Sequence, residues 1–491
     1  MRPRISKPAG AMPRAGRLRT RARFRIEEGI REMLAGMARA HGIALALLFL
    51  NACATAGASS FDAMRADYDR AGPTSPAARA DDERVLETSA LDRPSYVRAV
   101  LQRNPTIESA RHGWRAAIAR IKQAGSFEDP MVDLSVAPLS IGSSSVRTGY
   151  EVGISQKLPW FGKRNLESAV ASAEAGAAKS DFEATRRELA LTASVLYDQY
   201  FVAVRSQEIN AQHIALVRTL RAGATAQFEA GRASVQDPLQ AEAELTHLEH
   251  DAVILTSQRE VIVAQMNELL HRDPELPLPP PKDLPLPSGD VHDAKRLQAE
   301  ALERRPDIES ARLHARAEQA RADKSDREYY PDFTVSTSYN SMWDMPEHRW
   351  MVGLGFNLPI QVGRRAAMVD EANAARQRFE SEAVRLSDMA RTQVVVALKQ
   401  LEESKHVLHL FEERLLPVAR NQVDAARAGF IASQNPFVAV IDAEKNLRSV
   451  ELDYQMARAT CDRRRAELDR ALGRIPGLDG KDAKDAKEVA R

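Results

Sequence analysis

The chain has 491 residues, and its 69 Lys and Arg against 68 Asp and Glu give no net charge that would mark a nucleic-acid or acidic partner. Aromatic residues make up only 5%, while Ala, Glu, Arg, Leu and Gln fill long tracts, a composition that favours long helices over one large globular core. No window holds the eighteen or so apolar residues of a membrane-spanning helix.

The longest clean apolar run, Ile43 to Leu50, comes after basic residues and leads into Leu50-Asn51-Ala52-Cys53. This reads as a signal peptide over 1–53 and hence as export. Met37 opens a more ordinary signal, MARAHGIALALLFLNAC, so it is a second candidate start behind an Arg-rich extension. Cys53 resembles the acceptor of a bacterial lipobox, which would make it the lipidated first residue of the mature chain. Asn51 departs from the small or apolar residue usual there, and an ordinary signal peptide with an incidental Cys is the alternative. Residues 54–100 read as an extended segment and a short helix, with 54–84 lacking periodicity. Cys461 is the other cysteine; it falls on a helical apolar seam and reads as a packing residue.

The remainder is written twice. Asn104-Pro105-Thr106-Ile107-Glu108-Ser109-Ala110-Arg111 matches Arg305-Pro306-Asp307-Ile308-Glu309-Ser310-Ala311-Arg312 at an offset of 201. VGISQKLP (152–159) matches VGLGFNLP (352–359) at 200, and Gly162-Lys163-Arg164 matches Gly363-Arg364-Arg365 at 201. The chain thus contains two tandem units, 101–272 and 301–475. Between them 273–300 is a linker opened by the proline-rich DPELPLPPPKDLPLP, and 476–491 is a low-complexity tail.

Each unit opens with a helix, about 104–126 and 306–328, with Pro at its start. The period then changes to two. Val132, Leu134 and Val136 alternate with small or polar residues, as do Tyr150, Val152 and Ile154, and Phe333, Val335, Thr337 and Tyr339; Trp350, Val352, Leu354, Phe356 and Leu358 alternate with Met351, Gly353, Gly355 and Asn357. These are four strands in two hairpins, and strands of roughly 9–11 residues with one apolar face suit a transmembrane β-barrel. A half-buried sheet in a soluble domain would show the same alternation. Pro159 and Pro359 end the second strand of each hairpin, with Gly162 and Gly363 supplying freedom for the turn into a long helix.

Helical patterns then run over 164–224 and 365–424 and return over 238–272 and 436–473. Ala241, Leu245, Leu248, Ala252, Leu255, Ile262, Met266 and Leu269 form a heptad seam, as do Val440, Ala443, Leu447, Val450, Tyr454, Ala457, Cys461 and Leu468. The fold class is therefore mainly α with a β-barrel portion: a tandem repeat of long coiled-coil helical hairpins, each joined to a β-hairpin. Four strands close no barrel, and open edges in lipid would leave backbone groups unpaired, so a spanning sheet requires several chains.

At this point the chain resembles the TolC-like outer-membrane efflux proteins over 101–475, through the two repeats, LPWFGKR (158–164) and FEAGRASVQDPLQAEAEL (228–245). The junction wording is most similar to the heavy-metal branch of that family. The resemblance implies a homotrimer with a twelve-stranded barrel in the outer membrane and a twelve-helix periplasmic tunnel. It further implies, as partners, outer-membrane lipid, a periplasmic adaptor and an inner-membrane pump of the RND type. With no nucleophile elbow, phosphate loop or Cys-x-x-Cys in the sequence, no cofactor and no catalysis are expected, and the charge balance marks no nucleic acid. The helical turns would form the periplasmic tip, where the duct narrows. Phe228, Gly231 and Asp237 match the family's motif there, and the second copy aligns at an offset of 202 through Phe430, Ser433 and Asp442. Phe430 stands where the family has a gating Tyr, Asn435 where it has an Arg and Ala439 where it has an Asp, which leaves gate closure open; three copies of Asp442 would favour cations.

His247, Glu249 and His250, the pair His406 and His409, and the loop Met342, Trp343, Asp344, Met345 and His348 carry metal-binding residue types. A solvated helix face is the better reading of the two histidine groups, aromatic-belt and loop packing explain the Met342–His348 loop, and no metal site is assigned. An exported coiled-coil scaffold and a lipoprotein adhesin are the alternatives to a duct.

Overall fold

The computed structural model describes residues 57–72, 89–141, 144–285, 293–432 and 434–478. The signal peptide, Cys53, Ser433 and the 476–491 tail beyond 478 therefore lie wholly outside the described residues.

Helix α1 (Ala58–Arg70) precedes two copies of one series. The first is α2 (Arg93–Arg103), α3 (Pro105–Ala124), β1 (Met131–Val136), β2 (Tyr150–Leu158), α4 (Lys163–Glu229) and α5 (Gln236–Leu269). The second is α6 (Ala294–Arg304), α7 (Pro306–Arg327), β3 (Phe333–Asn340), β4 (Trp350–Phe356), α8 (Val362–Leu410), a π-turn (Phe411–Leu415), α9 (Leu416–Ile431) and α10 (Phe437–Ala471). Helices α2 and α6 correspond at an offset of 201, so each repeat begins one helix before 101 and 301, and the linker ends at Asp293, the cap of α6. No helix among the described residues is long and apolar enough to cross a membrane.

The elements lie as four staves. The sheet is antiparallel throughout in the order β1-β2-β3-β4. Next to it the helices run α3, α4, α7, α8, and further away α5, α4, α10, then α8 and α9. Helix α4 belongs to one stave along its whole 67 residues, about 100 Å at about 1.5 Å per residue. The register places Val132, Ile154, Thr337 and Val352 in one row and Leu134, Val152, Tyr339 and Trp350 in the next, so one face is apolar across all four strands. The other face carries Asp133, Gly153, Ser338 and Met351, then Ser135, Glu151 and Asn340. The strands are six to nine residues long rather than 9–11. The shortest, β1 and β4, are the edges, where only one side has a ladder to prolong the extended backbone.

Three further expectations change. The segment read as extended contains α1, because Phe61, Met64 and Tyr68 share one helical face and pack against Trp114, Ile118 and Phe182; Tyr68 meets Trp114 edge-on at 5.4 Å. The proline-rich stretch is extended as expected but packed: Leu91 pairs with Pro281, and Leu278 and Leu284 join the apolar cluster around Tyr96, Tyr197 and Phe201. Finally, the second outgoing helix is interrupted. The repeat offset is 201 at Gly162 and Gly363 but 202 at Phe228 and Phe430, so the second copy carries one residue more between them. The π-turn at Phe411–Leu415 absorbs it. The buried face continues past it, with Leu398, Leu401 and Leu408 before and Leu416, Ala419 and Val423 after.

Near the proline-rich stretch a buried ion group joins α2, α4 and α10. Arg93 bonds both Asp198 and Asp462. Burial pushes the Asp198 carboxyl up to about 8 against the pull of Arg93, and its Oδ2 is buried without a hydrogen bond. Because the folded pKa lies above the unfolded one, the folded chain keeps a proton that the unfolded chain has shed. Stability therefore falls as pH rises from about 4 to about 8. Asp198→Asn is expected to flatten that slope, most visibly as a raised melting temperature at about pH 8; circular dichroism melts of both proteins across the window check it, and parallel slopes would contradict it.

Candidate functional site

The junction and turn residues singled out in the sequence fall at the ends of the outgoing helices, α4 in the first repeat and α8 with α9 in the second. At the first junction, Pro159 ends β2 and the backbone N–H of Trp160 donates to Asp332 Oδ1 at 2.9 Å. The Trp160 ring stacks on Tyr330 at 5.1 Å and on Phe333 at 5.8 Å, which ties the first hairpin to the start of β3. Gly162 has φ +85 and opens α4. Lys163 comes next with its side chain only 5% exposed, and its ammonium donates to Asp332 Oδ1 at 2.8 Å, Glu328 Oε2 at 3.3 Å and the Tyr330 carbonyl at 3.4 Å. The Arg164 guanidinium lies over the Phe127 ring at 3.4 Å.

The second junction has the same letters and a different construction. Beyond Pro359, hydrogen bonds run from Ile360 N–H to Leu358 O and from Val362 N–H to Ile360 O, so two tight turns connect β4 to α8. Gly363 then lies within the first turn of α8 without a positive φ, and the turn does not need it. Arg365 donates to the Glu328 carbonyl, while Arg364, the counterpart of Lys163, is exposed.

At the far end, Gly231 has φ +69. The α4 C-terminus closes through Gly231 N–H to Phe228 O at 2.9 Å and Arg232 N–H to Gln227 O at 2.8 Å, an αL cap that glycine takes without a Cβ clash. Phe228 is exposed and Asp237, in the first turn of α5, is half-buried. In the second turn Gln434 and Asn435 N–H groups return to Gly429 O at 2.8 and 3.1 Å, and the Asn435 amide occupies the space a Cβ on Gly429 would need. Phe430 is half-buried against Phe437 at 5.3 Å, in a cluster with Ala224, Ala241 and Ile441 that joins the two helical turns. Asp442 is exposed one residue beyond buried Ile441.

Behind this tip lie contacts that sequence spacing does not reveal. His213 on α4 sits between Glu451 at 3.1 Å and Glu444 at 3.9 Å on α10. Arg427 bonds Glu444, Lys445 bonds Glu244 at 2.9 Å, and Arg448 bonds Asp251. The partners stand up to 238 positions apart, and only the heptad phase, which puts Glu444 beside Ala443 on the seam, hints at them. Among the described residues no three His, Cys, Asp or Glu side chains gather to hold a metal. Glu249 pairs with Arg218, His250 lies 3.6 Å from Asp251, and His409 lies 3.0 Å from Glu413. Met342 and Met345 are exposed. Cys461 is buried, which pushes its thiol pKa up.

Among the described residues, the long helix α4 is thus joined to strand at one end and to a helical turn at the other. The profile of the family described as outer membrane efflux protein matches residues 96–270 and 297–474. The cobalt-zinc-cadmium resistance protein CzcC of Cupriavidus metallidurans is 24% identical over 184 residues, 37% of this chain and 43% of that protein, so the alignment spans less than half of that relative. Among solved structures, the outer-membrane channel OprN superposes with a TM-score of 0.66 at 21% identity, over 78% of this chain and 89% of its own. CusC, described in connection with folding and transmembrane channel formation, gives 0.67 at 18% identity, over 79% and 94%.

Proposed function

The chain belongs to the outer membrane efflux protein family, and on that premise we propose that it is the outer-membrane duct of a tripartite efflux system, working as a homotrimer. The observation that carries this reading is that the sheet and the helical layer are open at the same two staves. Edge strands β1 and β4 each have a ladder on one side only. The outer helices of the array expose apolar side chains: Val253, Ile254 and Val261 on α5, and Val395, Val396 and Val418 on α8 and α9. A head-to-tail ring joins β4 of one chain to β1 of the next and buries both helical faces in the same step. Three chains of four strands give a twelve-stranded barrel, above the eight or so with which spanning barrels begin.

In this assembly the apolar rows of the sheet face lipid and the rows of Asp133, Ser135, Glu151 and Ser338 line water. The helical turns around Phe228 and Phe430 form the end that meets a periplasmic adaptor and, through it, an inner-membrane pump of the RND type. Cys53 is the lipid acceptor. Gly57, at the start of α1, lies against Ser168, five residues past the first junction, so α1 begins at the sheet end of the helices, where an acyl anchor is needed. Similarity to a cobalt-zinc-cadmium resistance protein makes divalent cations the first substrates to test, ahead of dyes and antibiotics.

A deletion strain challenged with metal salts, dyes and antibiotics tests the function: sensitivity to one class, reversed by the intact gene, is expected, and tolerance unchanged across all three would refute it. Within the duct, three Asp442 carboxylates ring the narrow end and favour cations. Asp442→Asn is expected to lower the cation-to-anion permeability ratio in planar bilayers; an unaltered ratio would remove Asp442 from the pore.

A further inference from the structure

The first junction holds an arginine whose role the conduit wall does not explain. Leu158, Phe333 and Phe356 form the last apolar row of the sheet on the helix side. Below that row Trp160 stacks on Phe333 and Tyr330, and Phe161 meets Trp160 edge-on at 5.8 Å while remaining 79% exposed. Tyr330 is also exposed. Amphipathic rings at the end of an apolar band mark the headgroup level of a bilayer.

Arg327, the last residue of α7, reaches across this cluster. Its Nη1 donates to the Phe161 carbonyl at 2.9 Å. A Cβ on Gly162 would stand 3.0 Å from the same Nη1, so glycine makes the room for the guanidinium as well as for the turn. Lys163 and Arg164 beside it are engaged, the one with Asp332 and Glu328, the other with Gly125 O and Phe127. The Arg327 guanidinium bonds a neutral carbonyl through Nη1, is exposed, and has further N–H donors in its fork. Asp326 is adjacent in sequence, but among the described residues no ion pair joins the two.

The cluster belongs to the two central staves, β2 with α4 and β3 with α7. A neighbouring copy joining at β1 or β4 does not cover it, which leaves lipid as its neighbour.

Resting on the duct reading, we propose that Trp160, Phe161 and Arg327 form a headgroup site for an anionic glycerophospholipid of the periplasm-facing leaflet, the rings taking the glycerol and upper acyl region and the guanidinium the phosphate. Among the described residues the site is built once. At the second junction Ile360 and Val362 are exposed without an aromatic stack, and Gly363 has open space around it, so nothing equivalent forms there.

The test is native mass spectrometry of delipidated, detergent-solubilised assemblies after exposure to phosphatidylglycerol or phosphatidylcholine. The intact protein is expected to retain phosphatidylglycerol preferentially, up to one per chain in the tightest class. Arg327→Gln is expected to weaken that retention about fivefold without changing phosphatidylcholine retention. Equal retention of the two lipids by the intact protein, or equal phosphatidylglycerol retention by Arg327→Gln, overturns the proposal while the trimer still stands. Should Arg327→Gln fail to assemble, the lipid preference of the intact protein decides alone. A protein recovered as a soluble monomer would instead remove the duct reading.

Discussion

Val352→Arg is expected to remove trimers from the outer-membrane fraction. Val352 lies in the middle of β4, 83% exposed, in the row with Val132, Ile154 and Thr337. A charged side chain on the lipid face of a barrel costs about 2–4 kcal/mol at the bilayer midplane. A trimer bears that cost three times, and β4 is also the strand that must pair with the next chain. Ser338→Arg is the control: Ser338 is one position along in the register, in the row with Asp133, Gly153 and Met351, and its side chain faces the lumen. Heat-modifiable trimers on denaturing gels are expected for Ser338→Arg and not for Val352→Arg. Equal behaviour of the two would mean that the apolar face of the sheet does not meet lipid.

The second large effect is at Lys163. Its ammonium is buried, and Lys163→Met leaves Asp332 without its cation while keeping the side-chain volume. Removing one partner of a buried ion pair costs about 3–5 kcal/mol. The loss is expected as a lower denaturation midpoint and as new protease cleavage near Trp160. Asp332→Asn in the same chain is expected to recover part of it, because the buried charge is then gone. Arg364→Met, at the matching position of the second repeat, is expected to change little, since Arg364 is exposed. Similar losses at both positions would mean that the two junctions are held alike.

That asymmetry marks the limit of what the sequence conveys. LPWFGKR and LPIQVGRR look like one device used twice, and both do lie between strand and helix. Only the first is locked, because its lock consists of Asp332, Glu328 and Tyr330, which stand 165 to 169 positions from Lys163. Glycine is identical in both, yet only Gly162 takes a positive φ. Periodicity locates every strand and every long helix, since one face of each is apolar whatever it packs on. The short α1 escapes it because its face consists of Phe61, Met64 and Tyr68 in an otherwise polar segment. The π-turn is legible in principle, as the step from 201 to 202 in the repeat offset, but its position within the helix requires coordinates. Phe228, Gly231 and Asp237 lie around the turn between α4 and α5, and Phe430 packs on Phe437, a residue the motif does not mention. The ion pairs behind the tip, among them His213 with Glu451, join the two repeats and leave no local pattern.

The central claim is that one chain is a third of a closed wall. Counting the chains in the detergent-solubilised outer-membrane assembly by native mass spectrometry tests it most directly. Three chains per particle are predicted, because a head-to-tail ring of three four-stranded sheets gives the twelve strands of the proposed barrel. A stable particle of one chain, with β1 and β4 left unpaired, would contradict it.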